Sequence, residues 1–280
     1  MSDLEREEVR SQVMQIRKQL PRLGTRKLYH QLSGKLADKH IKLGRDRLFE
    51  FLREENMLIP KVKKYHKTTN SRHWMHKYPN VIKGLKIDRP EQLWVADITY
   101  LQMQDKHYYL HLITDAYSKK IVGYELCNNL KTASTLKALR MALNNRQYRK
   151  SLIHHSDRGL QYCSKEYTDL LKTNKVTISM TEKYDPYENA VAERVNGILK
   201  EEFGLDISFE SEELMHQYVD QSITLYNQLR PHMSIGLLTP TQAHNQTKVK
   251  LKTYKKKPQE VVSTPEVFVK FVCPKTVNLF

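Results

Sequence analysis

Residues 92–127 contain three consecutive runs that are rich in β-branched and aromatic residues, and they restrict the fold class more than any other feature. The runs are QLWVADITYLQMQ, HYYLHLITDAYS and KKIVGYELC, separated by short polar joints near Asp105 and Ser118. Runs of this composition and length predict strands. Because the joints are short, the three strands are predicted to follow one another as a meander.

The pattern downstream alternates between helix and strand. The spacing of apolar residues predicts helices over 132–145, 165–173, 188–203 and about 211–228, and strands over 151–156 and 176–180. The resulting order is β-β-β-α-β-α-β-α-α. This order predicts an α/β fold, a mixed sheet with helices around it.

Three acids lie in very different settings within this region. Asp97 is inside the apolar run LWVADITYL, Asp157 ends an apolar run in LIHHSDRGLQY, and Glu193 is inside the helical stretch ENAVAERVNGILKEEF. A carboxylate in an apolar strand needs a partner or a metal ion, because a buried unpaired charge is costly. Any one of them alone is also consistent with a salt bridge or a helix cap.

The order of the elements suggests how the acids meet. An acid in the middle of the first strand and one just after the fourth strand are expected to lie side by side, and a helix across them brings in Glu193. Three carboxylates provide oxygen ligands for hard cations such as Mg²⁺ or Mn²⁺. We therefore expect two metal ions, about 3.5–4 Å apart, suited to phosphodiester chemistry.

The net charge of +16 is unevenly distributed along the chain. Residues 1–90 carry 22 Lys and Arg against 10 Asp and Glu, whereas residues 91–208 carry 16 against 15. An N-terminal part that binds nucleic acid and a nearly neutral catalytic part fit this distribution. A charge that serves only solubility is the alternative.

The first 58 residues are predicted to form three short helices. A glycine-containing connection precedes the third helix, RDRLFEFLREENML, and basic residues begin it. This pattern suggests a helix-turn-helix DNA-binding domain, with an ordinary three-helix bundle as the alternative. The residues expected to contact DNA here are Arg26, Arg45 and Arg47.

Two further segments flank the predicted core at 91–245. Residues 59–90 are rich in basic and aromatic residues, which suits contact with a DNA backbone and stacking on bases, although a solvated connector is equally consistent. Residues 246–280 contain a basic run and one or two short strand-like stretches, a small β appendage or a partly ordered tail. The linker residues expected to contact DNA are Lys61, Lys63, Lys64 and Trp74.

The acid-bearing motifs together resemble a known family. WVADITYL, HSDRGLQY and ENAVAERVNGILKEEF are similar to the three acid motifs of the DDE superfamily, specifically its retroviral-integrase-like core. The segment RPHMSIGLLTP and the N-terminal stretch RLGTRKLYHQL are similar to parts of bacterial insertion-sequence transposases made from two overlapping reading frames. The resemblance is to the product of the second frame.

This resemblance implies a ribonuclease-H-like fold with Asp97, Asp157 and Glu193 as the catalytic, metal-binding acids. It also implies a basic residue seven positions after the glutamate, where Lys200 lies. Helical spacing places further polar residues on the same helix near these groups. The residues on this helix expected to contact DNA are Asn189, Arg194, Asn196 and Lys200.

The resemblance further implies a DNA transposase that binds element ends, cleaves phosphodiester bonds and transfers a 3′ end. Its expected partners are terminal inverted repeats, target DNA and at least one further copy of the chain, in the bacterial cytoplasm at the nucleoid. A ribonuclease-H-type nuclease and a non-catalytic DNA-binding repressor are the alternatives. The segment EKYDPYEN before the glutamate helix lacks the glycine that relatives commonly have.

Overall fold

The computed structural model describes residues 1–60, 74–182, 189–249 and 251. Within these residues, three helices precede a sheet that is interleaved with further helices. The helices are α1 (Asp3–Gln19), α2 (Thr25–Asp38), α3 (Arg45–Glu54), α4 (Thr132–Asn144), α5 (Leu160–Cys163), α6 (Lys165–Thr173), α7 (Ala190–Phe203), α8 (Glu212–Gln228) and α9 (Pro240–His244), with a 3₁₀ turn at Met233–Ile235. The strands are β1 (Leu93–Met103), β2 (Lys106–Asp115), β3 (Ile121–Cys127), β4 (Leu152–Ser156), β5 (Val176–Met180) and β6 (Ser208–Phe209).

The sheet confirms the mixed α/β architecture predicted from the sequence. Its strand order is β3-β2-β1-β4-β5, and β6 pairs with the far end of β1. Strands β1 to β3 are antiparallel, whereas β4 and β5 run parallel to β1. On the same side of β1, residues Leu93–Val95 pair with β4, and Gln102 and Met103 pair with β6. In the described structure, the part of β1 between these two pairings has no strand neighbour on that side.

The two faces of the sheet are covered by different helices. Trp94 and Ala96 of β1 are buried with Leu139 of α4 on one face. Leu101 of β1 is buried with Leu199 of α7 on the other face. Alternating β1 side chains therefore enter two cores, as the period of a strand requires.

Helix α4 approaches the sheet very closely at Gly123 of β3. A Cβ atom at this position would lie 2.2 Å from the Ala138 carbonyl oxygen and 2.8 Å from the Ala142 Cβ. Only glycine leaves room for the helix at this separation.

A buried polar network attaches α9 to the end of the sheet where β1 begins. The Glu91 backbone N–H donates to Asp115 Oδ2 over 2.7 Å, and the Glu91 carboxylate accepts from the Tyr148 N–H over 2.8 Å. His244 Nδ1 lies 3.0 Å from Ser118 Oγ, and its Nε2 lies 3.5 Å from Glu91 Oε1. Because these groups are buried and bonded to one another, α9 has a fixed position on the core.

The three N-terminal helices are present and bury an apolar interior that includes Val13, Leu28 and Leu52. Helix α3 ends at Glu54, four residues earlier than the predicted end at residue 58. Asn56 adopts φ +53° and the Met57 N–H donates to the Leu52 carbonyl over 2.7 Å, a helix-ending geometry. The helix-turn-helix assignment itself stays a prediction.

Several sequence predictions fall on residues that the structure does not describe. Lys61, Lys63 and Lys64 lie outside the described residues, and so does nearly all of the predicted tail. Trp74 is described, and the residue is 91% exposed. No helix in the described ranges combines the length and apolar character needed to cross a bilayer.

Candidate catalytic acid site

Asp97 lies on β1, and Asp157 follows the last residue of the neighbouring parallel strand β4 at the equivalent position. The β1–β4 register pairs Val95 with His155, and each acid comes two residues later in its own strand direction. Because parallel strands advance together, the register brings the two aspartates to the same edge. The placement of one acid along β1 and the other just after β4 is the arrangement expected from the sequence.

The Asp157 carboxylate also organises the turn that follows it. Its Oδ1 accepts a hydrogen bond of 3.0 Å from the Gly159 backbone N–H. Asparagine and aspartate commonly stabilise turns in this way. The turn lets the chain enter α5 at Leu160 immediately beyond the acid.

Two asparagines attach α7 to β1 beside Asp97. Asn196 Nδ2 donates to Asp97 Oδ2 over 2.7 Å, and Asn189 Nδ2 donates to the Ala96 carbonyl over 3.2 Å. Both asparagines are 8% exposed. Their Oδ1 atoms are buried with no hydrogen-bond partner in the described structure, so each presents an unused acceptor near the acids.

Glu193 lies on α7 between these two attachments. Its side chain is exposed, and desolvation of its carboxylate by neighbouring atoms raises its pKa. The attachments hold the segment of helix that carries Glu193 against β1. The third acid is therefore brought to the strand that carries the first.

The charges of Asp157 and Glu193 both act on the carboxylate of Asp97. Desolvation, followed by the charge of Asp157 and then that of Glu193, raises the pKa of Asp97 to about 7. Hydrogen bonds from the Ile98 backbone N–H and from Asn196 oppose this shift. Nearby like charges disfavour the ionisation of a carboxyl group, so a cation bound at this site would stabilise the charged form of Asp97.

The donor chemistry fits a hard divalent cation, because the site offers carboxylate and carboxamide oxygens. In the described part of the chain, no three His, Cys, Asp or Glu side chains are close enough to ligate one ion together. The chemical type and the negative charge of these side chains therefore suit a divalent cation. Ligation of one ion by all three acids requires their carboxylates to move closer to one another.

Lys200 lies one turn beyond Asn196 and within the electrostatic reach of Asp97. Its ammonium nitrogen sits over the Tyr100 ring, 4.5 Å from the centroid. Desolvation lowers the pKa of Lys200, while the charges of Asp97 and Asp206 act against that shift. Tyr100 did not stand out in the sequence.

The other residues proposed for DNA contact fall into two environments. Asn189 and Asn196 are nearly buried, whereas Arg194 and Arg26 are exposed. Arg45 is exposed and pairs with its neighbour Asp46, with Nε 2.7 Å from the carboxylate. Arg47 is also exposed. Contact of any of these residues with DNA stays a prediction.

Comparison with known proteins identifies the family. Two sequence profiles, both described as "Integrase core domain", match residues 87–186 and 174–240. The chain is 34% identical over 220 residues to the "Insertion element IS600 uncharacterized 31 kDa protein" of Shigella sonnei, covering 77% of this chain and 81% of that protein. The chain belongs to the integrase-core family of bacterial insertion-sequence transposases.

A second relative of this transposase chain is "Transposase InsF for insertion sequence IS3A" of Escherichia coli (strain K12). The two are 36% identical over 157 residues, which cover 56% of this chain and 54% of InsF. The match therefore spans about half the length of that relative. The family resemblance read from the acid motifs is confirmed by these relatives.

The fold is also found in solved structures. A chain of the cryoEM structure of the simian T-cell lymphotropic virus intasome in complex with PP2A regulatory subunit B56 gamma superimposes with a TM-score of 0.51 at 18% identity. The match covers 77% of this chain and 71% of that chain. It confirms the predicted ribonuclease-H-like fold of the transposase core.

Proposed function

We propose that this chain is a DNA transposase that binds the ends of its insertion sequence, cleaves phosphodiester bonds there and transfers the 3′ end to a new site. The observation that carries the proposal is the electrostatic coupling of Asp97 to Asp157 and Glu193, because two acids far from it in the sequence act on its carboxylate. A cluster of this kind has little structural use and suits metal-dependent phosphoryl chemistry.

Asp97, Asp157 and Glu193 are the residues that would hold the divalent ions, Mg²⁺ or Mn²⁺, two per site. When bound, these ions activate the attacking oxygen and stabilise the leaving oxygen at phosphorus. The attacking oxygen belongs to water in cleavage and to a DNA 3′-hydroxyl in strand transfer.

The remaining side chains of the site orient the Asp97 carboxylate and bind the DNA. Asn196 holds one oxygen of Asp97 by its 2.7 Å hydrogen bond and so fixes the orientation of this carboxylate. Lys200 provides a positive charge beside Asp97 for a DNA phosphate, and its position over the Tyr100 ring limits the directions it can take.

The proposed partners are the terminal inverted repeats, target DNA and a second copy of the chain. Two element ends must be processed together, so at least a dimer is required in the assembly that joins them. The similar viral chain named above comes from an intasome.

Strand-transfer activity tests the proposal on three variants, Asp97→Asn, Asp157→Asn and Glu193→Gln. Each is expected to abolish joining of pre-cut terminal-repeat ends in Mg²⁺ or Mn²⁺, while anisotropy shows DNA binding close to that of the wild type. Glu201→Gln is a matched control, because Glu201 is an exposed glutamate on the same helix.

The outcomes separate this function from the two alternatives. Nicking without any joined product would indicate a nuclease, and binding without nicking by the wild type would indicate a repressor. Near-normal joining by any one of the three acid variants would remove the proposed mechanism.

A further inference from the structure

The N-terminal helices dock on the acid-bearing helix through a buried cluster of charges, here called the Glu202 clamp (Lys27, Glu202 and Arg230). Lys27 Nζ lies 2.8 and 3.0 Å from the two carboxylate oxygens of Glu202. Arg230 donates to the same oxygens over 2.9 and 2.7 Å. The exposed fractions of the three side chains are 12%, 15% and 3%, so the clamp is largely shielded from solvent.

Backbone contacts strengthen the same junction. The Arg22 N–H donates to the Glu202 carbonyl over 3.2 Å, and Gln31 Nε2 donates to the Leu229 carbonyl over 2.9 Å. These carbonyls lie at the C-terminal ends of α7 and α8, where a helix leaves its last acceptors without partners. Groups before and within α2 thus cap two core helices, one of which carries Glu193.

The charges around the clamp are unbalanced. Glu202 is one carboxylate facing Lys27 and Arg230, and Arg194 adds a third positive charge. Desolvation, then the charge of Arg230, lowers the pKa of Lys27 to about 8, and Arg194 contributes to the same shift. The junction therefore has an excess of positive charge on the helix that also carries Glu193.

Exposed cations continue from this junction toward the N-terminal helices. Arg26 precedes Lys27 and is exposed, and its charge acts on Asp46, the partner of Arg45. Arg26 on α2 and Arg45 in the first turn of α3 are thus exposed cations on the N-terminal side of the junction, and Arg194 on α7 is an exposed cation on its core side. Exposed cations on both sides of one rigid junction suit the phosphates of one DNA duplex.

We propose that Arg26 and Arg45 on the N-terminal helices and Arg194 on the core contact one DNA duplex within the same subunit, and that the Glu202 clamp sets the spacing between them. This inference rests on the proposed function only in taking DNA as the partner. The duplex bound by the N-terminal helices would then lead to the acids of the same chain.

The first measurement is the salt dependence of binding. Fluorescence anisotropy with a labelled terminal-repeat duplex is recorded over a series of salt concentrations, in EDTA so that metal binding plays no part. Arg26→Ala and Arg194→Ala are each expected to lower the slope of log K against log salt by about 0.9, the loss of one phosphate contact, and the double variant by about twice that.

The second measurement uses Lys27→Met, which removes the Lys27–Glu202 ion pair of the clamp. In that background Arg26→Ala is expected to keep its effect on the slope, whereas Arg194→Ala is expected to lose most of its effect. Lys39→Met is the matched control, because Lys39 pairs with Glu8 over 2.6 Å inside the N-terminal helices. Gln31→Ala weakens the same junction without leaving a buried charge, and it serves if Lys27→Met does not fold.

Two results would overturn the inference. One is a salt slope that Arg194→Ala does not change in the wild type. The other is a change in salt slope on Arg194→Ala that is the same in the wild type and in the Lys27→Met background. Loss of the proposed catalytic function would be recognised separately, because the slopes are measured without metal and can be repeated on Asp97→Asn.

Discussion

Replacing Asp97 by asparagine is expected to stabilise the metal-free protein while it abolishes catalysis. In the folded chain, desolvation and the charges of Asp157 and Glu193 raise the pKa of Asp97 to about 7. An aspartate in an unfolded chain has a pKa of about 3.9, and this difference corresponds to about 4 kcal/mol at most. Because Asp97 is half-buried, solvent screening reduces the expected gain to about 2 kcal/mol.

The sign of the pH dependence follows from the raised pKa. The folded state holds the Asp97 proton more tightly, so this contribution to stability is complete below pH 4 and is lost as the pH rises through about 7. Wild-type protein is therefore expected to lose stability across this window relative to Asp97→Asn. The advantage of the variant should be full at pH 8 and small at pH 4.

Thermal unfolding in EDTA measures the effect. At pH 8 a gain of about 2 kcal/mol raises the Tm of a domain of this size by about 4–8 °C. Mg²⁺ at about 100 times its Kd should add about 2.7 kcal/mol to the wild type and much less to the variant. Asp169→Asn, at an exposed position on α6, is the control and should show no such gain. A Tm for Asp97→Asn at pH 8 that equals or falls below the wild-type value would refute the claim that its surroundings raise the pKa of Asp97.

Two further substitutions test the packing that positions the site. Glu202→Gln leaves the Arg230 side chain, which is 3% exposed, without its carboxylate partner. Urea unfolding should show that the free energy of unfolding falls by about 3–5 kcal/mol. The control Glu201→Gln should change it by less than about 0.5 kcal/mol. Equal effects would mean that the clamp contributes little. Gly123→Ala places a Cβ 2.2 Å from a backbone oxygen and should cost about 1–3 kcal/mol or more, whereas Gly34→Ala, with nothing within 4 Å, should stabilise α2 by about 0.5–1 kcal/mol. An unchanged urea midpoint for Gly123→Ala would show that α4 is free to shift away.

The sheet and the position of the two aspartates were predictable because they depend on local patterns. The strand runs around Asp97 and Asp157 are rich in apolar and β-branched residues, and parallel pairing of those strands is the arrangement that brings both acids to one edge. Glu193 was predictable from the helical pattern and from the family resemblance. Its reach toward the two aspartates required the structure.

Other features depend on contacts between distant parts of the chain. Lys27 and Glu202 look like ordinary surface charges in the sequence, and only the docking of α2 on α7 buries them together. Asn196 was expected to contact DNA from its helical spacing. Spacing gives the direction of a side chain and not its depth, and the structure places Asn196 against Asp97. The end of α3 depended on the left-handed conformation of Asn56, which composition does not reveal.

The most direct test of the proposed metal site is anomalous diffraction from crystals of the chain grown with Mn²⁺. We expect manganese peaks whose ligands include carboxylate oxygens of Asp97, Asp157 and Glu193, at distances of about 2.0–2.6 Å. Peaks confined to other residues, with the three carboxylates directed apart, would contradict the proposal that these acids form one catalytic centre.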